Sequence, residues 1–273
     1  MKLPAMGARS VSRALLGALT YFPSRSLLQE PSNEGLVFRD LVFRAEDGPQ
    51  LHGWWLPTPL REDRLGQLLF CHGNAGNIGD RLVEARILTA AGFDVLLFDY
   101  RGYGRSEGRP DEHGTYRDAR AAHRALLEQC DPDPERVIYL GESLGGAVAL
   151  RLAVEHPPAG LILQSTFTSV RDIARHHYPF VPPAIIPNWY ASGDLISHLR
   201  TSVLVLHGDR DQIVPVSHAE SLYNAAPEPK RMHVFSGLGH NDLVTRSAAQ
   251  YADVIVSWAQ DLPRARATSQ TIS

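Results

Sequence analysis

Val137-Ile138-Tyr139-Leu140-Gly141-Glu142-Ser143-Leu144-Gly145-Gly146 is the stretch that decides the fold. Its four leading apolar residues predict a buried strand, and the run from Leu144 to His156 predicts a helix. Between them lies G-x-S-x-G, a motif that carries meaning only in a strand-to-helix setting. The turn is so tight that the backbone before and after the serine nearly collides. Gly141 and Gly145 remove the side chains at those two crowded positions. Ser143 is then pushed out at the carboxyl end of a central strand. Its own peptide N–H and that of Leu144 lie at a helix N-terminus, where partial positive charge gathers. A serine held there is placed for nucleophilic attack.

Outward from this stretch, strands and helices alternate. Leu36 to Ala45 predicts a strand with Leu36, Phe38, Leu41 and Phe43 as its apolar members, and a bulge or bend near Asp40 accounts for the slip in alternation. Leu51 to Leu56 completes a hairpin through Glu46-Asp47-Gly48. Leu65 to Cys71, Asp94 to Tyr100, Leu161 to Gln164, Val203 to Leu206 and Met232 to Phe235 predict further strands. Ile78 to Ala91, Thr115 to Gln129, Ser217 to Ala225 and Leu243 to Gln260 are helical. The fold class is therefore α/β: a mostly parallel sheet of the eight-stranded type, helices on both faces, an antiparallel N-terminal hairpin and a short lid. The expected organisation is a single domain over 35–262, with the lid at about 166–200, a segment 1–34 ahead of it and a disordered tail over 263–273.

Composition narrows the function. The 273 residues are 44% hydrophobic and 21% charged, which suits one large domain with an ample core. The net charge of −3 gives no electrostatic case for nucleic acid. Cys71 and Cys130 show no metal or C-x-x-C spacing, and a reducing compartment is expected. In the first segment, Lys2, Arg9 and Arg13 flank an apolar run from Ala14 to Ser24 that is too short to span a bilayer. Val11, Leu15, Ala18 and Phe22 fall on one helical face. The readings are a helix packed on the domain, an interfacial helix touching a membrane surface, or an export signal. The expected location is cytoplasmic, with membrane association as the alternative.

Ligands of parallel α/β sheets bind at the carboxyl ends of the strands, so the loops after each strand carry the chemistry. Acyl transfer builds negative charge on an oxygen, and two N–H groups must already point at it. Leu144 supplies one. The glycine-flanked loop His72-Gly73-Asn74-Ala75-Gly76 supplies the other, from Asn74 with Ala75 as second choice; His72 reads as a brace for that loop. Tyr100 to Gly108 (YRGYGRSEG) suggests a dinucleotide fingerprint, but Glu107 occupies the third glycine position and Pro110 blocks the helix that must open there. No cofactor and no metal motif is found. After Val203 to Leu206, Asp209 and Asp211 compete to be the carboxylate that orients a base. After the last strand, His240 lies on a glycine-rich loop just ahead of a helix. The chain order Ser143, acid, His240 is one known triad order.

With these residues in hand, the chain resembles the α/β-hydrolases over about 35–262. The resemblance rests on HGNAG at 72–76, YRGYGRSEG at 100–108, GESLGG at 141–146, HGDRDQIVP at 207–215 and the GHND around His240. It is similar to the branch that includes protein depalmitoylases and lysophospholipase-like or monoacylglycerol-lipase-like enzymes. The resemblance implies Ser143 as nucleophile, Asp211 rather than Asp209 as acid, His240 as base, and Asn74 and Leu144 as oxyanion donors. The expected reaction is hydrolysis of a small acyl ester or thioester through an acyl-serine. A peptidase or amidase with the same triad, or a non-catalytic binding protein, are the alternatives. Phe167, Tyr178, Phe180 and Trp189, in the lid, are candidates to line an acyl pocket or simply to pack the lid down.

Overall fold

A computed structural model describes residues 20–262. The expected interfacial helix lies, up to residue 19, outside the described residues, as does the expected tail from residue 263. Eight strands form one sheet: β1 (Arg39–Arg44), β2 (Gln50–Leu56), β3 (Gly66–Cys71), β4 (Phe93–Phe98), β5 (Val137–Glu142), β6 (Gly160–Gln164), β7 (Ser202–Gly208) and β8 (Lys230–Phe235). Their order is β8-β7-β6-β5-β3-β4-β2-β1. β2 runs antiparallel to both neighbours, and every other pairing is parallel.

The central strands read as unbroken apolar runs because both of their faces are covered. All six residues of β3 are buried. Leu69, Cys71, Val137 and Tyr139 point to one face, where they meet α2 (Glu112–Gln129), α3 (Leu144–Glu155) and α5 (Val216–Ala225). Leu68, Phe70, Ile138 and Leu140 point to the other, against α1 (Leu82–Ala90) and α7 (Ala248–Gln260). Two further helices, α4 (Val170–His177) and α6 (Asp242–Arg246), follow β6 and β8. The expected bulge near Asp40 is absent: β1 pairs with β2 without interruption from Arg39 to Arg44. Leu36 and Phe38 precede the strand and pack on the other face of the sheet, with Phe38 edge-on to Trp54 at 6.2 Å. That explains the slip in alternation.

The boundary at residue 34 also moves. Phe22–Pro23 pairs in parallel with Ala75–Gly76. Ser24 donates its N–H to Gly76 O and accepts from Gly104 N. The Tyr21 hydroxyl is 2.8 Å from that of Tyr190, in the buried interior. Residues 20–34 thus belong to the folded unit.

The YRGYGRSEG stretch is a structural knot. Arg101 reaches Asp118 and Asp47, each at 2.8 Å. The Asp118 side chain is wholly buried. Ser106 donates to Asp99 O and accepts from His52 N, and Glu107 accepts from Gln50 N. The loop therefore ties the antiparallel edge of the sheet to α2. Arg101→Ala strands the Asp118 carboxylate without a counter-charge. It is expected to cost roughly 3–5 kcal/mol, seen as a lower urea midpoint at unchanged m-value.

Candidate active site

The turn after β5 places Ser143 at φ 52°, ψ −115°, a backbone region that non-glycine residues rarely occupy. Neighbouring bonds hold it there. Ser143 N donates to Gln164 O at 2.8 Å, and its carbonyl accepts from Thr166 Oγ1 at 2.6 Å and Gly146 N at 3.0 Å. A Cβ on Gly145 would collide with the Cys71 carbonyl, and one on Gly141 with the Gly145 carbonyl. Gly146 is equally constrained, against the Thr166 side chain. The elbow thus needs three glycines, one more than its motif advertises.

His240 arrives from the loop after β8. Its Nε2 is 3.1 Å from Ser143 Oγ and its Nδ1 is 2.6 Å from Asp211 Oδ2. Asp211 Oδ1 accepts from the N–H groups of Ile213 (2.9 Å) and Val214 (2.8 Å). Burial alone would raise the Asp211 pKa. Hydrogen bonds from His207, His240 and the Val214 N–H outweigh it and hold the carboxyl well below its ordinary range. Asp209 takes a different job: it accepts the Gly237 N–H at 2.6 Å and so anchors the loop that carries His240.

On the opposite side of Ser143 lies the 72–76 loop. Asn74 O accepts from Phe22 N (3.0 Å) and from the Tyr103 hydroxyl (2.8 Å), and its side-chain amide donates to Thr20 O. His72 is wholly buried against the Tyr100 and Tyr103 rings, and its Nδ1 donates to Gly73 O at 2.7 Å. Burial drives the His72 pKa down to about 3, so the ring is neutral.

A cavity of about 290 Å³ opens over these groups. Asn74, Ser143, Leu144 and His240 border it, with Phe167, Val170 and Ile173 from the crossover between β6 and β7. Tyr178, Phe180 and Trp189 do not. Tyr178 follows the last turn of α4, while Val170 and Ile173, one turn apart at the other end of the helix, face the cavity. Phe180 is 97% exposed. Trp189 packs on the helix-covered core, and its carbonyl accepts Val170 N.

The sequence model for the family described as "Serine aminopeptidase, S33" matches residues 62–198. An uncharacterized protein of Mycobacterium tuberculosis is 45% identical over 225 residues, covering 82% of this chain and 80% of that one. The chain belongs to the α/β-hydrolases. This hydrolase is also 32% identical to the alpha/beta hydrolase domain-containing protein WAV2 of Arabidopsis thaliana, over 86% of each chain. Among solved structures, the esterase domain of a Rhodothermus marinus protein superposes with a TM-score of 0.62 at 25% identity, covering 82% of the hydrolase and 98% of that chain.

Sequence reasoning missed several groups of this hydrolase's site. His207 is wholly buried, and its Nε2 lies 2.7 Å from Val214 O and 3.3 Å from Asp211 Oδ2. Its single Nε2 proton goes to the Val214 carbonyl with the Asp211 carboxylate close beside it, and its signal was the i, i+4 spacing from Asp211. Glu142, inside the motif, pairs with Arg81 at 2.5 Å and accepts Gly73 N at 3.2 Å. Arg81 in turn donates to Ala75 O at 3.3 Å. This pair ties the elbow to the 72–76 loop.

Glu84 lies behind it, 5% exposed, with its Oε1 2.6 Å from the Tyr251 hydroxyl. Burial, reinforced by the nearby Glu142 charge, pushes its pKa up to about 8. Between the ordinary glutamate value and about 8, the native state therefore holds a proton that the unfolded chain has lost. Stability must fall as pH rises through that window. Thermal melts from about pH 5 to about pH 9 should show a steeper loss of Tm for the wild type than for Glu84→Gln, which cannot ionise. Parallel curves would refute the assignment.

Proposed function

We propose that this protein is a serine hydrolase that cleaves carboxylic esters or thioesters through an acyl-serine intermediate. The observation that carries the reading is the unbroken relay from Asp211 to His240 to Ser143, built on the strained turn. His240 Nε2 takes the Ser143 proton as Oγ attacks the acyl carbon. The carbonyl oxygen becomes an oxyanion. As the intermediate collapses, the bond from carbon to the leaving oxygen or sulfur breaks, and that atom takes the proton from Nε2. Water then gives a proton to Nε2 and attacks the acyl-serine, and the second collapse returns the proton to Oγ. Asp211 keeps the proton on Nδ1 and stabilises the imidazolium.

The N–H groups of Leu144 and Asn74 serve the oxyanion in this reading. Leu144 opens α3, where the first N–H groups have no intrahelical acceptor. For Asn74 the support is peptide planarity. His72 pulls the Gly73 carbonyl toward itself, so the N–H on the far side of the same peptide plane points the other way. Phe167, Val170 and Ile173 give the acyl group an apolar wall. At about 290 Å³ the cavity sits at the small end of ligand sites, which favours short acyl chains.

The matching family's description, a serine aminopeptidase, favours a second reading on amide substrates. A free amino terminus calls for an unpaired carboxylate beside the serine. Among the described residues lining the cavity over Ser143, Glu142 is the one carboxylate, and Arg81 neutralises it. Esters are thus the better fit. Ser143→Ala is expected to lose on the order of a million-fold in turnover on nitrophenyl butyrate, and Asp211→Asn about ten-thousand-fold, with both proteins folded by circular dichroism. Retained turnover in Ser143→Ala sinks the mechanism. In a matched set of ester and amide substrates the ester should win, and butyrate should exceed laurate in kcat/KM.

A further inference from the structure

Residues 20–24 form a strap along the edge of the 72–76 loop. Its backbone grips Asn74 at two points: Phe22 N donates to Asn74 O at 3.0 Å, and the Asn74 side-chain amide donates to Thr20 O at 2.8 Å. Tyr21 stands between those two points. Successive side chains of an extended segment turn to opposite sides. Phe22 accordingly turns outward, and Tyr21 turns in. Tyr21 is the one buried side chain over residues 20–30.

Counting protons gives the buried hydroxyls a direction. The Thr115 hydroxyl gives its proton to the Glu112 carbonyl at 2.8 Å. It must then accept at 2.9 Å from Tyr190 Oη, which has one proton to give. Tyr190 Oη in turn accepts from Tyr21 Oη at 2.8 Å. The relay therefore runs from Tyr21 through Tyr190 and Thr115 to the first turn of α2.

Tyr190 is a firm anchor for it. The residue is wholly buried at φ 52°, and its N–H donates to Glu112 Oε1 at 2.7 Å. Its neighbour Trp189 accepts the N–H of Val170, which borders the cavity over Ser143. One buried pin thus joins the loop that carries Asn74, the crossover after β6 and α2.

We propose that Tyr21 is a positioning residue: its hydroxyl, pinned on Tyr190, holds the strap in the register that aims the Asn74 N–H at the oxyanion. The proposal rests on the acyl-serine chemistry and on the oxyanion role given to Asn74 above. Tyr21 touches no reacting atom. It acts through the two strap bonds on either side of it, which fix the Asn74 peptide and side chain together. Oxyanion stabilisation depends on donors already aimed, so a looser strap costs transition-state binding and leaves substrate binding intact.

The test uses the full-length protein and nitrophenyl butyrate, with active serines counted by a fluorophosphonate probe. Tyr21→Phe keeps the ring, edge-on to Tyr190 at 6.5 Å, and removes the proton given to it. The kcat per labelled serine should fall about fivefold, the worth of one neutral hydrogen bond, with KM within about twofold of the wild type. Inhibition by an alkyl trifluoromethyl ketone, whose serine adduct carries the oxyanion, should weaken by the same factor. Tyr190→Phe should show the same pattern, and the double variant should be no slower than the slower single. Asn74→Ala cuts the strap bond from the loop side and keeps the peptide N–H. It should lower kcat in the same way, and it carries the test if Tyr21→Phe fails to fold. Folded Tyr21→Phe with wild-type kcat per labelled serine, even at a lower Tm, makes the residue merely structural and overturns the proposal. So does an effect confined to KM, an undiminished affinity for the ketone, or additive losses in the double variant. Failure of the probe to label wild-type Ser143 overturns the acyl-serine reading, and this proposal falls with it.

Discussion

The backbone at Ser143 is held where an ordinary residue would relax out, and the surrounding fold is what prevents it. Such a conformation costs on the order of 1–3 kcal/mol and persists only when its neighbours over-determine it. Here Gln164 and Thr166, at the end of β6, grip the peptide on one side. On the other, α3 crosses so close to the end of β3 that Gly145 meets the Cys71 carbonyl directly. Both contacts require β5 to lie between β3 and β6, which is the order observed. Strand order and the exposure of one hydroxyl are therefore aspects of a single constraint. A looser crossing would let the serine fall back into the helix and take its Oγ away from His240.

The second side of the site is set by electrostatics rather than by crowding. Asp211 is buried, which by itself disfavours its charge. Peptide N–H groups of its own loop, His207 and His240 together reverse that preference. An ionised carboxylate beside Nδ1 keeps a proton on that nitrogen and leaves Nε2 facing Ser143 Oγ. Two residues earlier, Asp209 spends its carboxylate on Gly237 instead. The two acids of one short loop thus divide the work: one sets the imidazole's tautomer, the other fixes the loop that delivers it. Position along the chain could not separate those roles, because both aspartates follow the same strand end.

Local signals carried most of the architecture. Strands buried on both faces must be continuous apolar runs, and β3, β4 and β5 are legible for that reason. The elbow was legible because its crowding leaves only glycine at Gly141 and Gly145. What stayed hidden depends on partners distant in sequence. Residues 20–34 have no periodicity of their own; they are held by backbone bonds to Asn74, Gly76 and Gly104, which no local pattern announces. Aromatic content marked the segment after β6 as interesting without saying which side chains turn inward. Val170 and Ile173 reach the cavity through helical spacing, whereas Phe180 points into solvent. The Arg81–Glu142 pair joins residues 61 positions apart, and Glu142 read simply as the variable letter of its motif.

These contrasts assign rigidity and choice to different parts of the molecule. The 72–76 loop is fixed from four directions: Phe22 and Thr20 from the N-terminal strap, Tyr103 from the loop after β4, the Arg81–Glu142 pair from the elbow side, and His72 from beneath. This bracing leaves the loop's peptide groups little freedom to reorient. The other walls are built differently. α4 borders the cavity through Val170 and Ile173, and none of the bonds that define the strained turn passes through it. Substitutions there can reshape what enters without disturbing the relay. The Ser143–His240–Asp211 geometry of this hydrolase is thus locked to the ends of the sheet strands, whereas the crossover after β6 supplies the apolar side chains that border the cavity.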